Sequence, residues 1–296
     1  MSAPVRPKRL TLPLGGTGRS PQGAPMTGAP MTVYLRGIGL VGPGFSNWTE
    51  AQEALREPAA AWTQVPAVLP APMILPPAER RRAGTIVKLS LAVAEQACTM
   101  SGADPHTLTT VFSASSGDPA NCHALCEVLA SADRLVSPTR FTNSVHNAGA
   151  GYWHIAQHAR APSTSLCGFD ASLGAGLLES AVQCVTAQQP VLLVSSDVPY
   201  LEPLHGVRPM PDAFGLAFVL DALAPSVPCA RLQVSIAPKG AVPTACEHPA
   251  LEALRCAIPA ARSLPLLQAL ARGKPAELVL AYLDTLSLSV RVEFPA

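Results

Sequence analysis

One strand-to-helix bend holds the residues of this sequence that are best arranged to present a nucleophile. A short predicted strand, Ser163–Cys167, runs into the bend Gly168–Ala171, and a helix of small and apolar residues, Leu173–Ala187, follows. A side chain in such a bend lies next to free helix N–H groups, which stabilise negative charge. Asp170, in the bend itself, and Cys167, at the end of the strand, are therefore the candidate reactive residues.

Two other clusters have spacings that could hold a metal ion. His154 and His158 are four residues apart and share one helix face, but Ile155 stands where the metalloprotease pattern needs Glu. The segment Cys122–Cys126 offers two cysteines and a histidine, without an evident fourth ligand. Buried cysteines are common in proteins that bind no metal. We therefore predict no metal site and no cofactor.

The segment Gly37–Gly42 matches the glycine spacing G-x-G-x-x-G of dinucleotide-binding loops. Such a loop leads directly into a helix and is followed, about 20 residues later, by an acidic residue. Here Pro43 and Gly44 follow, and residues 57–78 form a Pro-rich loop. We interpret the segment as a strand that leaves the core through a tight turn.

Three consecutive arginines, Arg80–Arg82, precede a predicted buried helix, Ala83–Met100. Such a run is most often a solvated surface, and positive charge is not favoured at a helix N-terminus. The functional alternative is the docking of an acidic partner, because surface charge steers association.

Composition excludes several classes of protein. The 296 residues carry a net charge of +1, which disfavours generic nucleic-acid binding. With 48% hydrophobic and 14% charged residues, the chain can bury a large core. Its eight cysteines show no disulfide spacing, so we predict reduced thiols and a cytoplasmic location. No apolar run reaches the roughly 18 residues of a membrane span, and the N-terminus lacks the apolar core of a secretory signal.

The order of predicted elements divides the chain into three parts. Residues 1–30 are rich in Pro, Gly, Ser and Thr and contain a tandem Gly-Ala-Pro-Met-Thr repeat, so we predict a disordered leader. Residues 31–225 alternate strands and helices, which predicts a layered α/β domain. Residues 226–296 predict a short α/β remnant that packs on that domain.

This arrangement resembles the β-ketoacyl synthases, condensing enzymes of the thiolase fold. The resemblance rests on Ala161-Pro162-Ser163 in the strand, the bend and the small-residue helix. Three further stretches look similar: Leu35–Leu40, Pro76–Arg82 and Val191–Asp221. Over residues 32–221 the sequence is most similar to the β-ketoacyl-synthase-like N-terminal domain family, in particular to the short chain-length-factor-type subunits of aryl polyene and xanthomonadin pigment clusters. The resemblance implies a layered α-β-α fold with a mixed sheet and a truncated second half.

The departures from the family pattern imply a subunit that does not catalyse. Counted from Ala161-Pro162-Ser163, the family's nucleophilic cysteine falls on Asp170. A carboxylate is a poor acyl carrier, because its acyl derivative is a reactive anhydride. The histidine signatures of the family's second half are absent or eroded. A structural alternative for Asp170 is to cap the following helix.

The resemblance further implies a heterodimer with an active β-ketoacyl synthase in type II fatty-acid or polyketide-like biosynthesis, with an acyl carrier protein bound through the complex. A homodimer is possible when the chain is alone. The implied acyl-pocket residues are Phe169, Gly168, His146 and Asn147. The implied dimer interface is the strand Pro162, Ser163, Thr164, Ser165, Leu166 and Cys167.

Two further alternatives stay open. The chain could be an autonomous thioester-dependent acyltransferase or hydrolase that uses Cys167, which requires a thiol activated near a helix N-terminus. It could also be a scaffold without an acyl pocket. Glycines in the helix Leu173–Ala187, among them Gly174 and Gly176, permit close approach of another backbone, either a partner's or the chain's own tail.

Overall fold

The computed structural model describes residues 29–57, 62–226, 229–238 and 240–295. The predicted disordered leader, residues 1–30, lies outside the described residues except for its last two. The strands are β1 (Met31–Val41), β2 (Thr109–Ser113), β3 (Ser163–Leu166), β4 (Val191–Asp197), β5 (Phe214–Asp221), β6 (Ala230–Ile236), β7 (Ala276–Leu283) and β8 (Leu286–Glu293). The helices are α1 (Trp48–Arg56), α2 (Pro77–Arg82), α3 (Thr85–Ser101), α4 (Pro119–Ala130), α5 (Pro138–Thr142), α6 (Ala148–Gln157), α7 (Ser172–Ala187), α8 (Leu204–Val207), α9 (Pro249–Ala257) and α10 (Leu264–Arg272).

The strands form one mixed sheet in the order β3-β2-β4-β5-β1-β6-β8-β7. Strand β2 runs parallel to both β3 and β4, and the other neighbours are antiparallel. The sheet therefore has two edge strands, β3 at one end and β7 at the other. The predicted mixed sheet is confirmed.

Helices cover both faces of the sheet. Alternate side chains of the fully buried β5 point in opposite directions, as strand geometry requires. Phe218 packs in the core with α1, α7, α9 and α10, whereas Ala217 and Val219 pack in the core with α3 and α6. Helix α3 buries apolar residues on much of its circumference, as predicted. This is the predicted α-β-α layering.

The Gly37–Gly42 segment serves helix packing. A Cβ built on Gly37 would overlap the carbonyl oxygen of Ala97, and one on Gly39 would overlap that of Val93. Both glycines lie in β1, and both carbonyls belong to α3. The glycines therefore let the helix approach the strand closely, which agrees with the interpretation of a strand rather than a dinucleotide loop.

The tail continues the same sheet. Strand β6 pairs with the first residues of β1, and the hairpin of β7 and β8 joins through β8. A Cβ on Gly174 in α7 would overlap the carbonyl oxygen of Ala281 in β7, so the tail makes the close backbone approach at this helix. The division of the chain at residue 225 stays a proposal.

Three short helices differ from the sequence prediction. Helix α2 begins inside the predicted loop, and α5 and α8 were not predicted. Each has at most six residues, too few for a periodic pattern to be recognised. The arginines of α2 thus occupy its last turn, where positive charge is favoured by the helix dipole. In the described part of the chain, no helix is long and apolar enough to cross a membrane.

Candidate functional site

The bend between β3 and α7 has one left-handed residue. Phe169 has φ of +52°, whereas Gly168, which we expected to provide the turn, has φ of −122°. A left-handed conformation costs a side-chain-bearing residue roughly 1–2 kcal/mol. Surrounding contacts must hold Phe169 in place, and the ring is 60% exposed.

Ser172, not Asp170, forms the side-chain hydrogen bonds to the backbone of the bend. Its hydroxyl accepts a hydrogen bond from Gly168 N at 3.1 Å and donates one to Phe169 O at 2.7 Å. The N-cap position is Ala171, without a side-chain cap. The predicted capping role of Asp170 is therefore wrong, because that carboxylate points to other partners.

Two arginines hold the Asp170 carboxylate. Arg208 Nη2 lies 2.5 Å from Oδ1, and Arg262 Nη2 lies 3.0 Å from Oδ2. The carboxylate is 44% exposed, and the two arginine side chains are 21% and 22% exposed. Each carboxylate oxygen thus has a cationic donor, and the two guanidinium groups leave an excess of one positive charge. Guanidinium groups stay protonated at all physiological pH values, so neither can act as a general base.

Arg208 also fixes Phe169. Its guanidinium carbon lies 3.8 Å from the centre of the Phe169 ring, and its Nη1 donates to the Tyr200 hydroxyl at 3.1 Å. Cation–π contact is worth roughly 0.5–1 kcal/mol at exposed sites. The same arginine therefore binds Asp170 and offsets part of the strain at Phe169.

A second carboxylate, Asp197 at the end of β4, is fully buried beside this site. Its oxygens accept hydrogen bonds from Ser115 N at 2.8 Å and Ala260 N at 2.9 Å. Burial raises the pKa of Asp197, while the bonds from Ser115 and Ala260 and the charge of Arg208 act in the opposite direction. Asp197 and Asp170 together attach the short helix Ala260–Ser263 to the sheet.

Cys167 lies just after β3 with an exposed side chain. Its Sγ donates to the carbonyl oxygen of Ser115 at 3.2 Å. No hydrogen bond joins this thiol to a histidine or carboxylate in the described part of the chain. The sequence-predicted alternative nucleophile thus lacks a base in contact.

His146 and Asn147 lie beside β3. With His154, Ser163 and Ser165 they line a hollow of about 500 Å³, to which neither Phe169 nor Asp170 contributes. His146 Nε2 is 3.0 Å from Ala114 O. The structure therefore separates the predicted pocket residues into two groups. Their assignment to an acyl pocket remains a prediction.

The predicted interface strand is exposed at its edge. The register of β3 with β2 directs the backbone groups of Thr164 and Leu166 toward β2 and those of Ser163 and Ser165 outward. At the opposite edge, Thr244 pairs with one residue of β7: its Oγ1 accepts from Val279 N at 2.9 Å, and its N–H donates to Val279 O at 2.8 Å. Among the described residues, the outward backbone groups of Ser163 and Ser165 in β3 have no such partner.

Arg208 and Arg262 were not predicted as site residues from the sequence. They lie 38 and 92 residues from Asp170, in segments where a lone arginine gives no motif. The described residues contain no group of three or more metal-ligating side chains. All eight cysteines are free thiols.

The arginine run lies beside a basic cleft. Arg81, Arg82 and Arg140 line a cleft of about 430 Å³ that also contains Asp118. Arg82 pairs with Glu79 at 3.0 Å. Within the described ranges, Arg81 and Arg140 form no salt bridge, so the cleft carries excess positive charge.

Comparison with known proteins identifies the family. Residues 46–278 match the family model described as β-ketoacyl synthase, N-terminal domain. Similar solved structures include a ketosynthase (ApeO) in complex with its chain length factor (ApeC) from Xenorhabdus doucetiae, at 19% identity and a TM-score of 0.67, covering 88% of this chain and 99% of that chain. The ishigamide ketosynthase/chain length factor matches at 16% identity and a TM-score of 0.66, covering 90% and 100%.

A third similar structure is AntDE:AntF, a type II polyketide synthase acyl carrier protein in complex with its ketosynthase, at 10% identity and a TM-score of 0.71, covering 90% of this chain and 100% of that chain. No curated protein sequence matches this chain. At these identities the solved structures establish the fold alone. The family match spans most of the chain and confirms the resemblance found in the sequence: the chain belongs to the β-ketoacyl synthase N-terminal domain family.

Proposed function

We propose that this chain is a non-catalytic, chain-length-factor-type subunit that pairs with an active β-ketoacyl synthase. The setting is type II fatty-acid or polyketide-like biosynthesis, and the sequence resemblance favours the aryl polyene pigment class. Ketosynthase and chain length factor complexes among the similar structures support this class of role.

The ion-paired carboxylate at residue 170 carries the proposal. A condensing enzyme needs a thiolate at this position to hold the acyl chain, and groups that accept and donate protons around it. Here Asp170 is bound by Arg208 and Arg262. The carboxylate is a poor acyl carrier, and its guanidinium partners cannot accept a proton.

The free edge of β3 supports a partner subunit. Unpaired N–H and C=O groups at a sheet edge favour the addition of another strand. Since Thr244 blocks the middle of the β7 edge and no described residue pairs with the outward groups of β3, the strand Pro162–Cys167 is the proposed interface.

The basic cleft at Arg81 and Arg140 supports a carrier protein as second partner. Acidic surfaces are attracted to an excess of guanidinium groups, and arginine binds phosphate and carboxylate groups in bidentate fashion. We propose that the acyl carrier protein contacts the assembled complex through this cleft.

Co-expression with a full-length β-ketoacyl synthase from the same organism tests the proposal. The pair should co-purify as a heterodimer and extend acyl chains, while the chain alone should not. Ser165→Pro removes an outward N–H that the chain's own sheet does not use, so it should prevent co-purification. Ser165→Ala is the matched control and should leave it intact. A chain that stays monomeric and leaves ketosynthase activity unchanged would exclude the proposed function.

Exposure of Cys167 favours a second candidate, an acyltransferase or hydrolase that uses this thiol. It predicts an acyl-thioester label on the isolated protein that disappears in Cys167→Ala. The absence of label at any cysteine excludes it.

Guanidinium groups packed beside Asp170 favour a third candidate, a scaffold without an acyl pocket. A scaffold predicts that substitutions of Phe169 leave the product length of the complex unchanged. A changed product length excludes it.

A further inference from the structure

The free edge strand β3 lies between two hollows, one on each face of the sheet. The α6-side hollow, of about 500 Å³, is lined by Ser163 and Ser165 from the strand. The α7-side hollow, of about 330 Å³, begins at Pro162. Side chains of any strand added at this edge alternate between the two faces and so between the two hollows.

The α6-side hollow is polar. Besides the two serines, His146, Asn147 and His154 line it. Apart from the two imidazoles, no acidic or basic side chain that the structure describes lines this hollow. His154 Nε2 is shielded from water and has no hydrogen-bond partner among the described residues. A side chain that enters this hollow therefore meets hydroxyl, amide and imidazole groups. An entering side chain that can form hydrogen bonds fits these groups best.

The α7-side hollow is mainly apolar. Val182, which is 42% exposed, and Val191 line it with the methyl-bearing Thr109 and Thr186. The amide of Gln183 is used internally, because its Nε2 donates to Thr164 Oγ1 at 2.9 Å and to Glu179 at 2.7 Å. A charged side chain here would lose hydration without gaining a partner.

We propose that β3 selects its partner through the side chains of the added strand, which alternate between the polar and the apolar hollow. The added strand of the ketosynthase presents long hydrogen-bonding side chains to the α6-side hollow and branched or aromatic apolar side chains to the α7-side hollow. This inference rests on the proposed function and names the chemistry by which the partner is selected.

A second copy of this chain fits the hollows poorly. In a two-fold pairing of β3 with itself, like faces of the two sheets adjoin. The β3 strand of the second copy would then present the short side chains of Ser163 and Ser165 to the polar hollow. Serine is too short to fill it, and an unfilled void at an interface loses packing energy. The heterodimer is therefore favoured over the homodimer.

Four variants test the alternation in the co-expressed complex. A Cβ on Gly151 meets nothing within 4 Å, so Gly151→Leu fills the polar hollow with an apolar chain without disturbing the helix. Val182→Asp places a charge in the apolar hollow. Each should weaken ketosynthase binding at least about tenfold, since each leaves buried groups unmatched. The controls Gly151→Ala and Val182→Ile should bind like the unaltered chain.

Hydrogen exchange supplies a second readout that does not depend on the variants. The amides of Ser163 and Ser165 should exchange rapidly in the isolated chain and slowly in the complex. If the unaltered chain binds the ketosynthase but Gly151→Leu and Val182→Asp bind equally well, the alternation is wrong and the proposed function stands. If the unaltered chain does not bind at all, the proposed function itself fails.

Discussion

Arg262 donates a hydrogen bond to Asp170 across 92 residues of sequence and so attaches the tail to the bend before α7. Arg208 donates a hydrogen bond to the other carboxylate oxygen of Asp170. Asp170, the residue on which the sequence resemblance places the family's nucleophile, thus joins the bend both to the segment that follows α8 and to the tail.

Asp170→Asn should lower the free energy of unfolding by about 1 kcal/mol. The change removes the charge from two ion pairs, but the carboxylate is 44% exposed and water screens them. Urea denaturation measures the loss, which should shrink in high salt. Asp284→Asn, at an exposed turn, is the control and should change stability little. Equal stability of both variants would contradict a structural role for the pair of arginines.

Asp170→Cys should create a reactive thiol without creating a condensing enzyme. Arg208 and Arg262 stabilise a thiolate at this position, so the new cysteine should react with iodoacetamide faster than Cys167 does. No acyl elongation should follow, because the guanidinium groups cannot take up a proton. The double variant with Cys167→Ala assigns the label. Elongation by Asp170→Cys alone would show that the rest of the catalytic machinery is intact.

Two glycine-to-alanine changes in helices should have opposite effects. Gly174→Ala pushes a methyl group into the Ala281 carbonyl and should destabilise the chain by roughly 1–3 kcal/mol. Gly151→Ala meets open space and should stabilise it by up to about 1 kcal/mol. Thermal denaturation of the isolated chain measures both. A neutral Gly174→Ala would mean that β7 does not cover α7 in solution.

Glu252 should make part of the stability depend on pH. Arg255 and, to a smaller extent, Cys246 N lower the pKa of Glu252 to about 2. An unfolded glutamate titrates near 4.3. The stabilisation is therefore complete above about pH 5 and is lost as the pH falls toward 2.

The difference in unfolding free energy between the unaltered chain and Glu252→Gln should follow that range, full at pH 7 and small near pH 2. Urea denaturation at several pH values measures it. Glu247→Gln, at an 82% exposed carboxylate paired with Arg272, is the control. A difference that stays constant over this pH range would contradict the assigned pKa.

The bend was predictable because local patterns specify it. A short strand, a glycine and a small-residue helix are adjacent in sequence, so their order predicts β3, the turn and α7. The left-handed residue was not predictable. Glycine is the usual choice for positive φ, yet Phe169 adopts it here, and the contact of its ring with Arg208 offsets part of the strain.

The partners of Asp170 were beyond prediction from one sequence. Arg208 and Arg262 come to the bend through the sheet topology, and neither stands in a motif. The same holds for His146, which the sequence placed near the bend but which the structure places beside β3. Long-range pairing of single polar residues leaves no periodic signal, whereas burial of whole strands and helices does.

Acyl elongation by purified components tests the central claim most directly. The chain alone, a full-length β-ketoacyl synthase from the same organism, and the two together are incubated with acyl-loaded and malonyl-loaded carrier protein, and products are followed by mass spectrometry. We predict that the chain alone is neither acylated nor active, and that the pair elongates, also when Asp170 is changed to Ala. Elongation by the chain alone would contradict the account.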